Sequence, residues 1–249
     1  MDMGNFDSDV LVKKQLVLFL VIDTSRSMDG TKIGAVNTAI REVLNDSEFQ
    51  KAGGSDADIL VAPLSFSNGC EWLRNQPVPV EELSKTWVDL KTEGCTDLGA
   101  ACRELAKKLD KKEFLNAPGG LAAPVILLMS DGGPTDNFDD GLAELKANKY
   151  YKQTIRFACA IGADADRGVL AKFCDGNEKE VVLSVNTPEA LRKWIRVVSL
   201  KSVKEGSGPQ KVVDGASISA QDAAVKEVKQ AIENDSTLNK AEQEDEEWE

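Results

Sequence analysis

At 249 residues the chain is long enough for one sizeable α/β domain whose core needs no disulfide or metal staple. Its 42% hydrophobic and 29% charged residues match an ordinary globular protein. The formal charge of −12 disfavours nucleic acid and anionic membrane as partners, because both are polyanions, and the lack of any histidine excludes every Ser-His or Cys-His nucleophile pair.

No apolar run reaches the ~18 residues of a membrane-spanning helix, and "MDMGNFDSDV" lacks the basic start of a signal peptide, so a cytoplasmic protein is expected. Five cysteines without a Cys-x-x-Cys pair read as reduced, mostly buried thiols rather than a disulfide framework or zinc ribbon. Six of the acids lie in the last nine residues, "AEQEDEEWE", so the body of the chain is only mildly acidic.

In chain order, "QLVLFLVID" (15–23) is a continuous β-prone run, as expected of a strand covered on both faces in a parallel sheet. "TKIGAVNTAIREVLND" (31–46) follows with Ile33, Val36, Ile40 and Val43 at helical spacing. A second strand is predicted at 56–67, and 70–83 as an extended segment whose two prolines suit a sheet edge. Helix 96–110, strand 123–131, helix 139–151, strand 154–162, helix 166–174, strand 181–185 and helix 187–203 complete the alternation.

This order predicts an α/β fold: a doubly wound, mostly parallel, Rossmann-like sheet with one antiparallel edge strand and helices on both faces. One domain over 1–203 is expected, and 204–249 as linker, weak helix (220–234) and acidic tail, an appendage whose removal leaves the domain folded.

In such sheets, ligand-binding loops lie at the carboxyl ends of the strands. "VIDTSRSMDG" (21–30) sits at one such end, "SDGG" from Ser130 and Asp131 at another, and "TEGCTDLGAA" (92–101) gives a third loop with Thr96 before a helix. Asp23, Ser25, Ser27, Thr96 and Asp131 can furnish the oxygen shell of a hard cation such as Mg²⁺ (or Mn²⁺ or Ca²⁺), with no sulfur called for. Two carboxylates neutralise the ion formally while hydroxyls add oxygen without charge, so few direct carboxylates leave it able to take an outside anion.

"DTSRS", then the Thr-Asp-Leu-Gly loop, then "LMSDGGPTD" resembles the metal-ion-dependent adhesion site of von Willebrand factor A domains, over roughly residues 11–203. Within that family "LFLVIDTSRSMDGTKI", "LSFSN" and "SDGGPTD" resemble the bacterial TerY-like proteins associated with tellurium resistance and stress. The resemblance implies that Ser25, Ser27 and Thr96 bind the ion and that Asp23 and Asp131 ligate it directly or through water. It also implies a non-enzymatic module whose protein partner donates a carboxylate, with kinase-like or phosphatase-like proteins as candidate partners.

Two competing readings accompany it. Ser25, Ser27, Thr31 and Thr96 are also residues that cap helices, and Asp136, Asp139 and Asp140 read as turn and cap residues of the next helix. An enzymatic alternative makes Asp23 the nucleophile of a Mg²⁺-dependent phosphoryl transferase of haloacid-dehalogenase type, but Ser25 stands where its second acid belongs.

Overall fold

The computed structural model describes residues 13–54, 57–208, 212–213 and 216–243; the acidic end from 244, with Trp248, lies outside the described residues. The first strand, β1 (Lys14–Asp23), buries eight consecutive residues from Leu16 onward. It leads through a 3-10 turn into α1 (Thr31–Asn45), whose Ile33, Val36, Ile40, Val43 and Leu44 face the core. A short α2 (Ser47–Gln50) and then β2 (Ala57–Ser67), β3 (Gly69–Trp72) and β4 (Val78–Pro79) follow.

Next come α3 (Val80–Thr86), α4 (Leu98–Lys108), β5 (Val125–Ser130), α5 (Phe138–Ala147), β6 (Ile155–Ile161) and α6 (Arg167–Cys174). The described chain closes with α7 (Glu178–Val181), β7 (Val182–Val185), α8 (Pro188–Ser207), the two-residue β8 (Val212–Val213) and β9 (Ala216–Ser217), α9 (Ala220–Asn234) and α10 (Ser236–Gln243).

The main sheet runs β3-β2-β1-β5-β6-β7, and β1, β2, β5, β6 and β7 are parallel. The antiparallel edge is β3, continued along the same side of β2 by β4. The expected fold class is therefore the observed one. From β1 the chain moves one way across the sheet to β2, and from β5 it moves the other way to β6 and β7. Strand order thus reverses between β1 and β5, and right-handed crossovers then place α1 and α5 on opposite faces. On α5's face the packing with α4 is tight: a Cβ on Gly141 would lie 2.3 Å from the Gly99 carbonyl oxygen.

Several elements differ from expectation. Within 70–83 the extended reading holds only to Pro79, because Pro79 opens α3 as its N-cap and Glu81 and Glu82 occupy a first helical turn that favours acids. The helix expected to end at 203 continues to Ser207, where the Gly206 carbonyl accepts the Ala123 N–H at 3.0 Å. Most consequentially, α9 and α10 pack on the domain. Ala224, Val228, Ile232 and Leu238 are buried in the common core.

Gln221 accepts the Arg156 N–H at 2.6 Å and donates to the Arg156 carbonyl at 3.1 Å. These bonds satisfy the part of β6 that β7 is too short to reach, since pairing with β7 begins at Ala158. Among the described residues no helix is long and apolar enough to cross a membrane.

Candidate metal centre

Pairing of Ile22 with Met129 sets the ends of β1 and β5 side by side, so Asp23 adjoins Ser130 and Asp131 at the point where strand order reverses. Asp23 is fully buried. One of its oxygens accepts the Ser25 N–H at 2.8 Å and the other the Ser130 hydroxyl at 2.6 Å. Burial pushes its carboxyl above the usual range, and Asp131's charge adds to the effect; hydrogen bonds from Ser130 and Ser25 oppose it without cancelling it.

Beyond β1 the chain turns so that the Ser25 and Ser27 hydroxyls meet at 2.9 Å, and Ser27 donates to Asp131 at 2.7 Å. Asp131 is 1% exposed, and its second oxygen receives Lys32 Nζ at 2.6 Å. Asp23, Ser25, Ser27 and Asp131 are thus joined in one hydrogen-bonded series, its first link made through the Ser25 N–H.

The segment that carries Thr96 is tied to the two loops on either side of it. Its N–H donates to the Thr135 hydroxyl and its carbonyl accepts the Thr135 N–H, both at 2.9 Å, which ties it to the loop after Asp131. On the other side Glu93 N–H donates to the Thr24 carbonyl at 2.8 Å and Arg26 N–H to the Gly94 carbonyl at 3.4 Å. Thr96 itself is 6% exposed.

Asp97 reinforces the frame, accepting the Gly69 N–H at 2.7 Å and the Thr135 hydroxyl at 3.3 Å. Asp136, expected to serve the following helix, instead accepts the Gly99 and Ala100 N–H groups at 2.8 Å each. It caps α4 from the neighbouring loop. The cap of α5 is Asn137, with Asp139 and Asp140 in the first turn.

Capping does not account for the hydroxyls. Ser25 makes no side-chain cap bond to the 3-10 turn, α1 begins after Gly30 without one, and α4 has Asp97 at its N-cap, also without one. Among the described residues no group of three or more acidic, cysteine or histidine side chains could hold a metal. Two carboxylates and three hydroxyls are instead a donor set for a hard, water-keeping cation. The set fits such an ion, because it already draws a positive charge, the Lys32 ammonium, onto a buried carboxylate.

Sequence reasoning overlooked Lys32 as a neighbour of the site and did not assign Ser130 a role. A signal for Lys32 existed: a cation in the first turn of a helix opposes the helix dipole and needs a compensating anion.

This architecture defines a doubly wound α/β domain with a cluster of carboxylate and hydroxyl oxygens at its switch point. The profile of the von Willebrand factor type A domain matches residues 18–196, and the chain belongs to that family. Among solved structures it is similar to a von Willebrand factor type A protein from Catenulispora acidiphila (18% identity, TM-score 0.57, 80% of this chain and 44% of that one).

It is also similar to proximal thread matrix protein 1 from the mussel byssus, solved with a zinc-occupied MIDAS motif (18% identity, TM-score 0.56, 78% and 48%). The VWA2 paralog of ArnB from Sulfolobus acidocaldarius is a third (18% identity, TM-score 0.51, 76% and 45%). The chain spans less than half the length of each of these three. No curated protein sequence matches it.

Proposed function

We propose that the chain is a non-catalytic, metal-dependent protein-binding module in which Asp23, Ser25, Ser27, Thr96 and Asp131 hold one Mg²⁺ or similar hard ion, and a carboxylate of a partner protein completes the shell. The observation that carries this reading is the continuous contact from Asp23 through Ser25 and Ser27 to Asp131 at the switch point. When bound, the ion supplies a positive charge that two carboxylates only just neutralise and that an outside acid can share.

Each side chain has a task. Ser130 and the Ser25 N–H fix Asp23; Ser25 and Ser27 present hydroxyl oxygens without charge; Asp131 anchors the far side; and the Thr135 clamp orients Thr96. Beside the site a groove of about 570 Å³, lined by Thr24, Ser67, Asn68, Leu90 and Glu93 among others, offers room for the partner's flanking residues.

The phosphoryl-transfer alternative is disfavoured. Ser25 stands two residues after Asp23, where that mechanism needs a second acid, so Asp23 as nucleophile would lack its general-acid partner. The TerY-like resemblance supports a role as adaptor in a bacterial stress or tellurium-resistance system, in the cytoplasm, with kinase-like or phosphatase-like partners. Five free cysteines, Cys95 among them exposed, suit a reducing compartment.

The test is partner retention. A partner co-purified from the host should remain bound in Mg²⁺, dissociate in chelator, and fail to bind once its donated Asp or Glu is changed to Asn or Gln. Retention in chelator would refute the reading.

A further inference from the structure

Lys32 projects from the first turn of α1, where the helix dipole repels a cation. Its Nζ nevertheless sits 2.6 Å from Asp131 Oδ2, with the lysine side chain 15% exposed and the aspartate side chain 0%. On its other flank Asp164, 79% exposed, reaches the same Nζ at 3.7 Å.

The slot between them is shaped for this side chain. Gly162, at the end of β6 with φ +97°, carries no Cβ; one built there would lie 3.1 Å from Lys32 Nζ and 3.2 Å from its Cε. The ammonium therefore stands between a buried carboxylate that belongs to the metal site and an exposed one on the rim.

Building on the metal reading above, we infer that Lys32 is a tethered cation that neutralises Asp131 in the ion-free protein and transfers to Asp164 when a divalent ion arrives. Two consequences follow from charge. The incoming ion displaces a positive group instead of entering an uncompensated site, so its affinity is lower than the oxygen shell alone would give. Emptying the site leaves Asp131 paired, so the ion-free domain stays folded. The competition is reciprocal: whatever weakens lysine binding at Asp131 strengthens ion binding there, and the reverse.

Calorimetric titration of the full chain with Mn²⁺ tests this, comparing wild type, Lys32→Met, Asp164→Asn and the double variant. Lys32→Met should bind Mn²⁺ roughly tenfold or more tightly, the range typical of coupled sites, and should melt at a lower temperature in chelator with the loss restored by Mn²⁺. Asp164→Asn, an exposed change that leaves the core intact, should weaken Mn²⁺ binding several-fold alone and have no effect beside Lys32→Met, as a coupled pair requires.

Wild-type affinity in Lys32→Met overturns the inference alone and leaves the metal centre standing. So does an Asp164→Asn effect that persists in the double variant. If none of the four proteins binds Mn²⁺, the inference and the proposed function fail together.

Discussion

At the residue scale the site is a problem in burying charge. Asp23 and Asp131 are 0% and 1% exposed, and the chain meets that cost with donors: a backbone N–H, two hydroxyls and one ammonium. Ser130 is the donor whose loss is easiest to read, because its hydroxyl lies 2.6 Å from Asp23 in a fully buried pair. Ser130→Ala should destabilise the ion-free domain by about 1–3 kcal/mol, the cost of an unsatisfied buried acceptor, measured as a lower urea midpoint at unchanged slope.

The convergence of Asp23, Ser25, Ser27 and Asp131 was legible because alternating oxygens behind one buried strand and an acid behind another have little reason to exist apart. Lys32 and Asp136 were not, since each acts on an element distant in sequence. A lysine 99 residues from its aspartate, and an acid that caps a helix preceding it, are tertiary facts.

At the element scale the strands were the easiest to read. Burial on both faces leaves β1, β5 and β6 as nearly unbroken apolar runs, and their order dictates the crossovers. The weaker signals were amphipathic segments rich in alanine or opened by proline. In α9, Ala223, Ala224, Val228 and Ile232 make a narrow apolar stripe that reads as solvent-exposed helix until α8 is there to cover it.

The elements after α8 are fixed by apolar contact and by Asp235. Its carboxyl is held below the usual range: burial works the other way, but the Leu238 and Thr237 N–H groups and Lys193 on α8 outweigh it. Leu238 is 0% exposed, so Leu238→Ala should cost about 2–5 kcal/mol. The thermal midpoint of that variant checks whether α10 belongs to the cooperative unit; an unchanged midpoint would mean that α9 and α10 ride on the domain without supporting it.

At the scale of the whole molecule, the sheet's reversal of strand order does the work of assembly. Loops from β1, β5 and the segment before α4 are brought to one end of the sheet, above a core of buried apolar side chains. A hollow of about 640 Å³, lined by Lys14, Pro124, Gln153, Gly206 and Ala220 among others, lies at the opposite end of the strands and exceeds the groove of about 570 Å³ beside the site, so size alone does not mark the chemistry. A chain of net charge −12 offers a poor surface to anions in general, so the proposed capture of an acidic partner depends on the ion.

That dependence is tested most directly by titrating the full chain with Mn²⁺, in wild type and in Asp131→Ala, while following far-UV circular dichroism. The metal-centre reading requires one saturable, chelator-reversible ion per chain in wild type, an unchanged spectrum on removal, and affinity at least tenfold weaker in the variant, the loss of one carboxylate being worth a decade or more. Wild-type affinity in Asp131→Ala, or no saturable binding in wild type, would contradict it.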